Sequence, residues 1–238
     1  MTESLVVGLG RSGVALARFL RDRGDKVRVA DNQPASKLGD NLAKLPIGVE
    51  TVLGGYDDGV LDRVDEVYAS PGVPWDAPLL KSARRKGLRV GSEIDLFFRY
   101  CPAAIVGITG TNGKTTTTAL AGAVLSRGRR PVIVGGNIGE TVLDRLREVT
   151  PEHWVVLELS SFQLASIERP KPATGLILHL SSDHLDRHGT FENYSSPKAR
   201  PRRFHARAGH AGPTAPNPAS PPPAPPPPPP PPPAPPGP

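Results

Sequence analysis

GITGTNGKTTTTAL, residues 107–120, begins as the end of an apolar strand, passes glycines at 107, 110 and 113, and enters a lysine and a run of threonines that opens a helix. A strand that stops at glycine and restarts as a helix is the layout of a phosphate loop. Glycine lets the main chain approach an anion closely, and the free amides of a helix start face it. Backbone N–H groups from Gly110 to Lys114 are placed to cradle phosphate oxygens. Lys114 is placed to neutralise the β- and γ-phosphates, and the Thr115 hydroxyl to ligate Mg2+. The candidate ATP-binding set is therefore Gly110, Thr111, Asn112, Gly113, Lys114, Thr115 and Thr116. The spacing is a G-x-x-G-K-T variant, with Ile108 where the commoner phosphate loop carries glycine. A helix start with an incidental lysine is the bland alternative, and the apolar strand AIVGIT ahead of it speaks against that.

Outward from this loop the pattern alternates. Downstream, RPVIVGG reads as a strand, GETVLDRLREV as a helix, and HWVVLELS and TGLILHLS as strands. The apolar, β-branched runs suit strands covered on both faces. Upstream, SLVVGLG is a strand, RSGVALARFLRDRG a helix ended by Gly24, and KVRVAD a strand. VETVLG and DEVYAS add strands, and APLLKSARRKG a helix closed by Gly87. Alternating strands and helices predict an α/β fold with mostly parallel sheets.

A second glycine loop, GLGRSG, places Gly8, Gly10 and Gly13 between the first strand and helix, with Arg11 and Ser12 inside it. Asp31 closes the next strand, at the distance of a ribose-binding acid in a dinucleotide fold. Taken alone this points to an NAD-binding oxidoreductase. Yet the fingerprint reports a diphosphate beside a nucleoside, and a UDP-sugar has the same features. Gly8, Gly10, Arg11, Ser12, Gly13 and Asp31 are the candidate residues for it. A tight turn without ligand is the structural alternative.

Composition removes several classes. The net charge of +6 owes most to Lys198, Arg200, Arg202, Arg203 and Arg207, with no acid after Glu192, so the rest is near neutral and no nucleic-acid partner is expected. The single cysteine, Cys101, makes no disulfide framework and reads as a buried or linker thiol. No apolar run is long enough to cross a membrane, so no membrane partner and a cytoplasmic location are expected. His184 and His188 with Asp183 and Asp186 lack the cysteines or spacing of a zinc site. Trp75, Trp154, Phe191 and Tyr194 read as packing residues. From about Pro201 the chain turns to Pro, Ala, Gly and Arg, which cannot bury enough apolar surface to offset ordering entropy.

GITGTNGKTTT resembles the ATP loop of the Mur ligases and of the related folylpolyglutamate synthetases. VGGNIG (134–139), LELSSFQL (157–164), DHLDRHGTFENY (183–194) and SPG (70–72) narrow the resemblance to Mur ligases that add D-glutamate to UDP-N-acetylmuramoyl-L-alanine. LELSSFQL speaks against the folate-type relatives. The resemblance implies an ATP- and Mg2+-dependent, amide-forming ligase of peptidoglycan synthesis that works through an acyl phosphate. It implies Ser70 and Asn137 as further substrate contacts, Glu158 and His184 with Thr115 as metal ligands, and a catalytic set of Lys114, His184 and a carbamylated Lys198. It also implies a monomer.

The expected organisation is a Rossmann-like UDP-binding domain over 1–92, a partial ATP-binding domain over 93–200 and a disordered, non-native tail over 201–238. The sequence departs from the family at His179, where asparagine is expected, and at Pro197 beside Lys198. It also departs after about Phe204, where a frame shift in a GC-rich gene is the expected cause. The chain as it stands is expected to bind substrates without completing ligation. A catalytically silent nucleotide-binding fragment is the remaining alternative.

Overall fold

The computed structural model describes residues 1–139, 141–168, 172–179 and 211–213. The candidates His184 and Lys198, Pro197 and most of the expected tail lie outside these residues. Among the described residues no helix is long and apolar enough to cross a membrane.

The first sheet comprises β1 (Glu3–Val7), β2 (Lys26–Asp31), β3 (Glu50–Leu53), β4 (Glu66–Ala69) and β5 (Arg89–Ser92), in the order β3-β2-β1-β4-β5. Every pairing is parallel. Helices α1 (Arg11–Asp22), α2 (Ala35–Ala43) and α3 (Pro78–Arg85) make crossovers. Strand order reverses between β1 and β4, and in open α/β sheets such a reversal leaves a ligand crevice at the carboxyl ends of the strands. GLGRSG sits there. Alternation along β1 sends Leu5 and Val7 into one apolar cluster and Val6 into the other, so the strand is covered on both faces.

Helix α4 (Glu93–Tyr100) leads to a second sheet of β6 (Ala104–Thr109), β7 (Val132–Gly136), β8 (Trp154–Glu158), β9 (Thr174–Ile177) and β10 (Ala211–Pro213). Its order is β10-β9-β6-β8-β7, again parallel. Helices α5 (Lys114–Leu125) and α6 (Ser161–Ser166) follow β6 and β8. Glu158 lies in register with Ile108 on one side and Gly136 on the other. The pairing thus brings the acid between the phosphate loop and the NIG turn. Ile94 and Phe97 of α4 belong to the second core, whereas Leu96 of the same helix belongs to the first.

One sequence expectation is corrected. GETVLDRLREV is not a helix: Leu146–Glu148 form a 3-10 turn, preceded by successive turns. Its amides bond three residues back, as in Arg145 to Val142, Leu146 to Leu143 and Val149 to Leu146. Tertiary packing overrides the helical period here. Val142 fills the space above Gly135, whose added Cβ would stand 2.5 Å from Val142 Cγ1. Leu143 packs into the first sheet's core, and Leu146 touches both cores. A buried leucine is worth roughly 2 kcal/mol, enough to outweigh weak helical preference in a segment this short.

Candidate active site at the strand ends

The loop after β6 is shaped by three constraints. Gly113, at φ +80°, starts α5 from the left-handed region that favours glycine. Gly110 has φ +155°, and a Cβ there would meet Leu178 Cβ at 2.7 Å. Thr111 N–H donates to the His179 carbonyl at 2.8 Å, and Leu178 N–H to Thr109 O at 2.8 Å, which ties the loop to the end of β9. The contact at His179 is made by main chain, so the departure from asparagine leaves it intact. The Lys114 ammonium curls back over the loop and donates to Gly110 O at 3.0 Å and Thr111 O at 2.8 Å. No side chain caps α5 and no acid stands in its first turn. Its opening amides and positive helix end therefore face the loop with no acid from the helix's own first turn beside them.

Glu158 closes the site. It is 2% exposed at the end of β8. Its carboxylate accepts from Thr115 Oγ1 at 2.8 Å and from Asn137 Nδ2 at 3.1 Å. Asn137 N–H also donates to the Glu158 carbonyl at 2.9 Å. The turn before it is glycine by necessity: Gly136 has φ +102°, and a Cβ would lie 2.2 Å from Glu158 O. Among the described residues Glu158 has no ion-pair partner. A buried carboxylate joined to a hydroxyl, both hard oxygen donors and without a cation, fits Mg2+. Among the described residues no cluster of three His, Cys, Asp or Glu side chains could hold a metal. The structure thus brings Lys114, Thr115, Asn137 and Glu158 together. Helix α6 beyond Glu158 is held by a capping box between Ser160 and Gln163.

The loop after β1 is held from outside. Asp31 accepts from Leu9 N–H at 2.6 Å and Gln33 N–H at 2.8 Å, one bond to each carboxylate oxygen. Ser70 Oγ donates to the Gly8 carbonyl at 2.6 Å, and Asn41 Nδ2 to Leu9 O at 3.1 Å. Gly8 has φ +91°, and a Cβ on Gly13 would sit 2.1 Å from Gly8 O. Gly10 precedes α1, which also has no capping side chain and no first-turn acid. Arg11 lines a cleft of about 820 Å³ between α1 and residues 141–147, which Arg18–Asp144 and Asp22–Arg147 ion pairs cross. Ser12, in the first turn of α1, is half-buried.

Sequence reading missed Asn41, which holds the loop after β1 through the Leu9 carbonyl. Nothing local marks it, since it acts on a residue far away in the chain. The capping-box spacing of Ser160 and Gln163 did signal the missed helix α6. Cys101 is half-buried, and burial pushes its thiol up, which fits an inert thiol.

Residues 2–92 match the family described as Mur ligase MurD-like, N-terminal domain, and residues 108–205 match the Mur ligase middle domain. The UDP-N-acetylmuramoylalanine--D-glutamate ligase of Koribacter versatilis is 44% identical over 197 residues, covering 82% of this chain and 44% of that protein. The ligase of the same name from Acidobacterium capsulatum is 46% identical over 197 residues, 82% of this chain and 43% of its own. The chain thus spans less than half the length of these curated relatives. Among solved structures, the UDP-N-acetylmuramate:L-alanyl-gamma-D-glutamyl-meso-diaminopimelate ligase from Neisseria meningitides aligns with TM-score 0.58 at 18% identity, over 91% of this chain and 72% of that one. That likeness shows the α/β fold.

Proposed function

The chain belongs to the Mur ligase family, and we propose that it carries the nucleotide-sugar and ATP sites of a ligase that joins D-glutamate to UDP-N-acetylmuramoyl-L-alanine. Two units serve the two ligands, residues 1–92 for the UDP-sugar and residues 93–200 for ATP, in a monomeric, cytoplasmic protein. The observation that carries this reading is the convergence of Lys114, Thr115, Asn137 and Glu158 on one strand end.

The reaction class needs a substrate carboxylate to attack the γ-phosphorus of ATP, releasing ADP and leaving an acyl phosphate. The amine of D-glutamate then displaces phosphate and forms the amide. Several negative groups must be held close together, so the site's task is electrostatic. Lys114 already lies over the loop and needs only to exchange carbonyls for phosphate oxygens. The opening amides of α5 and α1 receive the triphosphate and the diphosphate respectively. The Asn137 turn, fastened to β8, orients the muramoyl substrate. Mg2+ held by Thr115 and Glu158 would supply charge neutralisation between phosphate groups. His184, on a second ion, and a carbamylated Lys198 complete the proposed set.

Isothermal titration of the 238-residue chain tests this. Uptake of the ATP analogue AMP-PNP with Mg2+, and separately of UDP-N-acetylmuramoyl-L-alanine, is the expected result. Binding of NADH with no uptake of AMP-PNP would overturn the reading in favour of an oxidoreductase.

A further inference from the structure

The cleft along α1 runs well past the loop that opens the helix. Arg11, Val14, Ala15, Arg18, Phe19 and Asp22 recur at helical spacing and give α1 one face toward it. Arg18 lies two turns below Arg11, roughly 10 Å along the axis. The lower half of the cleft is therefore separate from the GLGRSG turn. Residues 141–147 form the facing wall, and Asn41 and Lys44 at the end of α2 form the third side.

The floor is apolar. Val14 and Ala15 are buried, as is Leu143 opposite them. Phe19 is half-buried, and its ring stands edge-on to Tyr100 with 5.2 Å between centroids, which steadies it as a wall. A volume of about 820 Å³ is that of a small-molecule site.

The rim is cationic. Arg11, Arg18, Arg23, Lys44 and Arg147 line the cleft against two acids, Asp22 and Asp144. Arg23 is taken by Asp25 and Glu66, and Arg147 by Asp22. Arg18 has Asp144 only at 3.9 Å, and it donates across the cleft to the Lys44 carbonyl at 3.5 Å. Arg11 and Lys44 have no ion-pair partner among the described residues. Cations gathered on an apolar pocket repel one another, and a bound anion removes that repulsion. The same charge rules out the chain's own end as the occupant, because no acid follows Glu192 while five cations do. Aromatic rings stack both on phenylalanine and on guanidinium planes, which favours a ring over an alkyl chain as the apolar part.

We propose that the lower half of this cleft binds a small aromatic anion, its ring against Phe19 and Leu146 and its negative group between Arg18 and Lys44. This site is additional to those for the diphosphate and the triphosphate, and it stands on the cleft alone.

Fluorescence titration of the 238-residue chain with 8-anilinonaphthalene-1-sulfonate tests this. One saturable site is expected. Arg18 and Lys44 are exposed, so their variants keep the fold. Arg18→Gln and Lys44→Gln should each weaken binding about two- to fivefold, the worth of an exposed charge pair. N-phenyl-1-naphthylamine has the same rings without the sulfonate, and its binding should not respond to either change. Helix α5 offers a rival apolar face, with Leu120 63% and Val124 62% exposed, and Leu120→Gln should leave the affinity unchanged. Absence of binding overturns the proposal, as does an affinity that both charge variants leave intact or that falls with Leu120→Gln instead. Displacement of the probe by UDP-N-acetylmuramoyl-L-alanine also overturns it, by making the cleft an extension of the diphosphate site. Failure of the chain to take up AMP-PNP or the UDP-sugar is a separate result that leaves this site standing.

Discussion

In the loop after β1 the restraint comes from elsewhere in the sheet: Asp31 from β2 and Ser70 from the end of β4 grip its amide and carbonyl. In the loop after β6 much of it comes from within, because Lys114 folds back on Gly110 and Thr111. Both loops feed a helix that starts from glycine without a capping side chain. The first has main-chain donors with Arg11 at its helix start. The second has Lys114 folded over it and the Thr115–Glu158 pair beside it. A shared glycine grammar is therefore restrained in two ways, by side chains from neighbouring strands in one unit and by the loop's own lysine in the other.

The largest effect should come from Gly13→Ala. The new Cβ would lie 2.1 Å from the Gly8 carbonyl, a backbone atom that cannot swing aside. A stability loss of about 3 kcal/mol or more in urea unfolding is expected, with loss of UDP-sugar binding. Gly10→Ala in the same motif meets nothing within 4 Å and should cost less than about 1 kcal/mol. Equal effects of the two would break the steric account of the first loop.

Lys114→Ala should weaken AMP-PNP binding by roughly 10- to 100-fold, the worth of charge-assisted hydrogen bonds. UDP-sugar affinity should not change, and paired titrations check both. Asp31→Ala should do the reverse: about 1–3 kcal/mol of lost stability from two stranded amides, weaker UDP-sugar binding, and unaltered AMP-PNP binding. A variant that moved both ligands equally would erase the contrast between the loops.

The smallest effect concerns the far end of the first sheet. Glu66 at the start of β4 is partly buried, which pushes its carboxyl up, but hydrogen bonds from Arg23 and Tyr68 and the charge of Arg99 hold it below the usual range. Its contribution is fully present above the unfolded-state pKa and is lost as pH falls through the depressed folded-state value. Urea midpoints should drop on acidification through that window, and Glu66→Gln should flatten the drop. Neither loop should respond to that change, because both lie at the opposite strand ends.

Much of the fold was legible because its signals are local. Glycine at 8, 10 and 13 and at 110 and 113, each set between an apolar strand and a helix, announces where main chain must bend and approach closely. Lys114 and Thr115 were readable for the same reason. The 141–149 segment was misread because its apolar spacing is helical, while Val142 and Leu143 are drawn toward different cores. Asp31 and Ser70 are expected from the sequence as ligand contacts; what the structure shows is that they fasten the loop.

The sequence by itself determined two glycine turns between strand and helix and the parallel α/β layout, since strand, turn and helix start are set by neighbours within a few residues. Only the tertiary structure decided that Glu158 lies between Ile108 and Gly136, that the His179 carbonyl holds Thr111, and that Glu93 is buried against the Leu143 amide. The physical reason is that a buried polar group is defined by its partners, and these partners are brought together by sheet register and core packing, which no short stretch encodes.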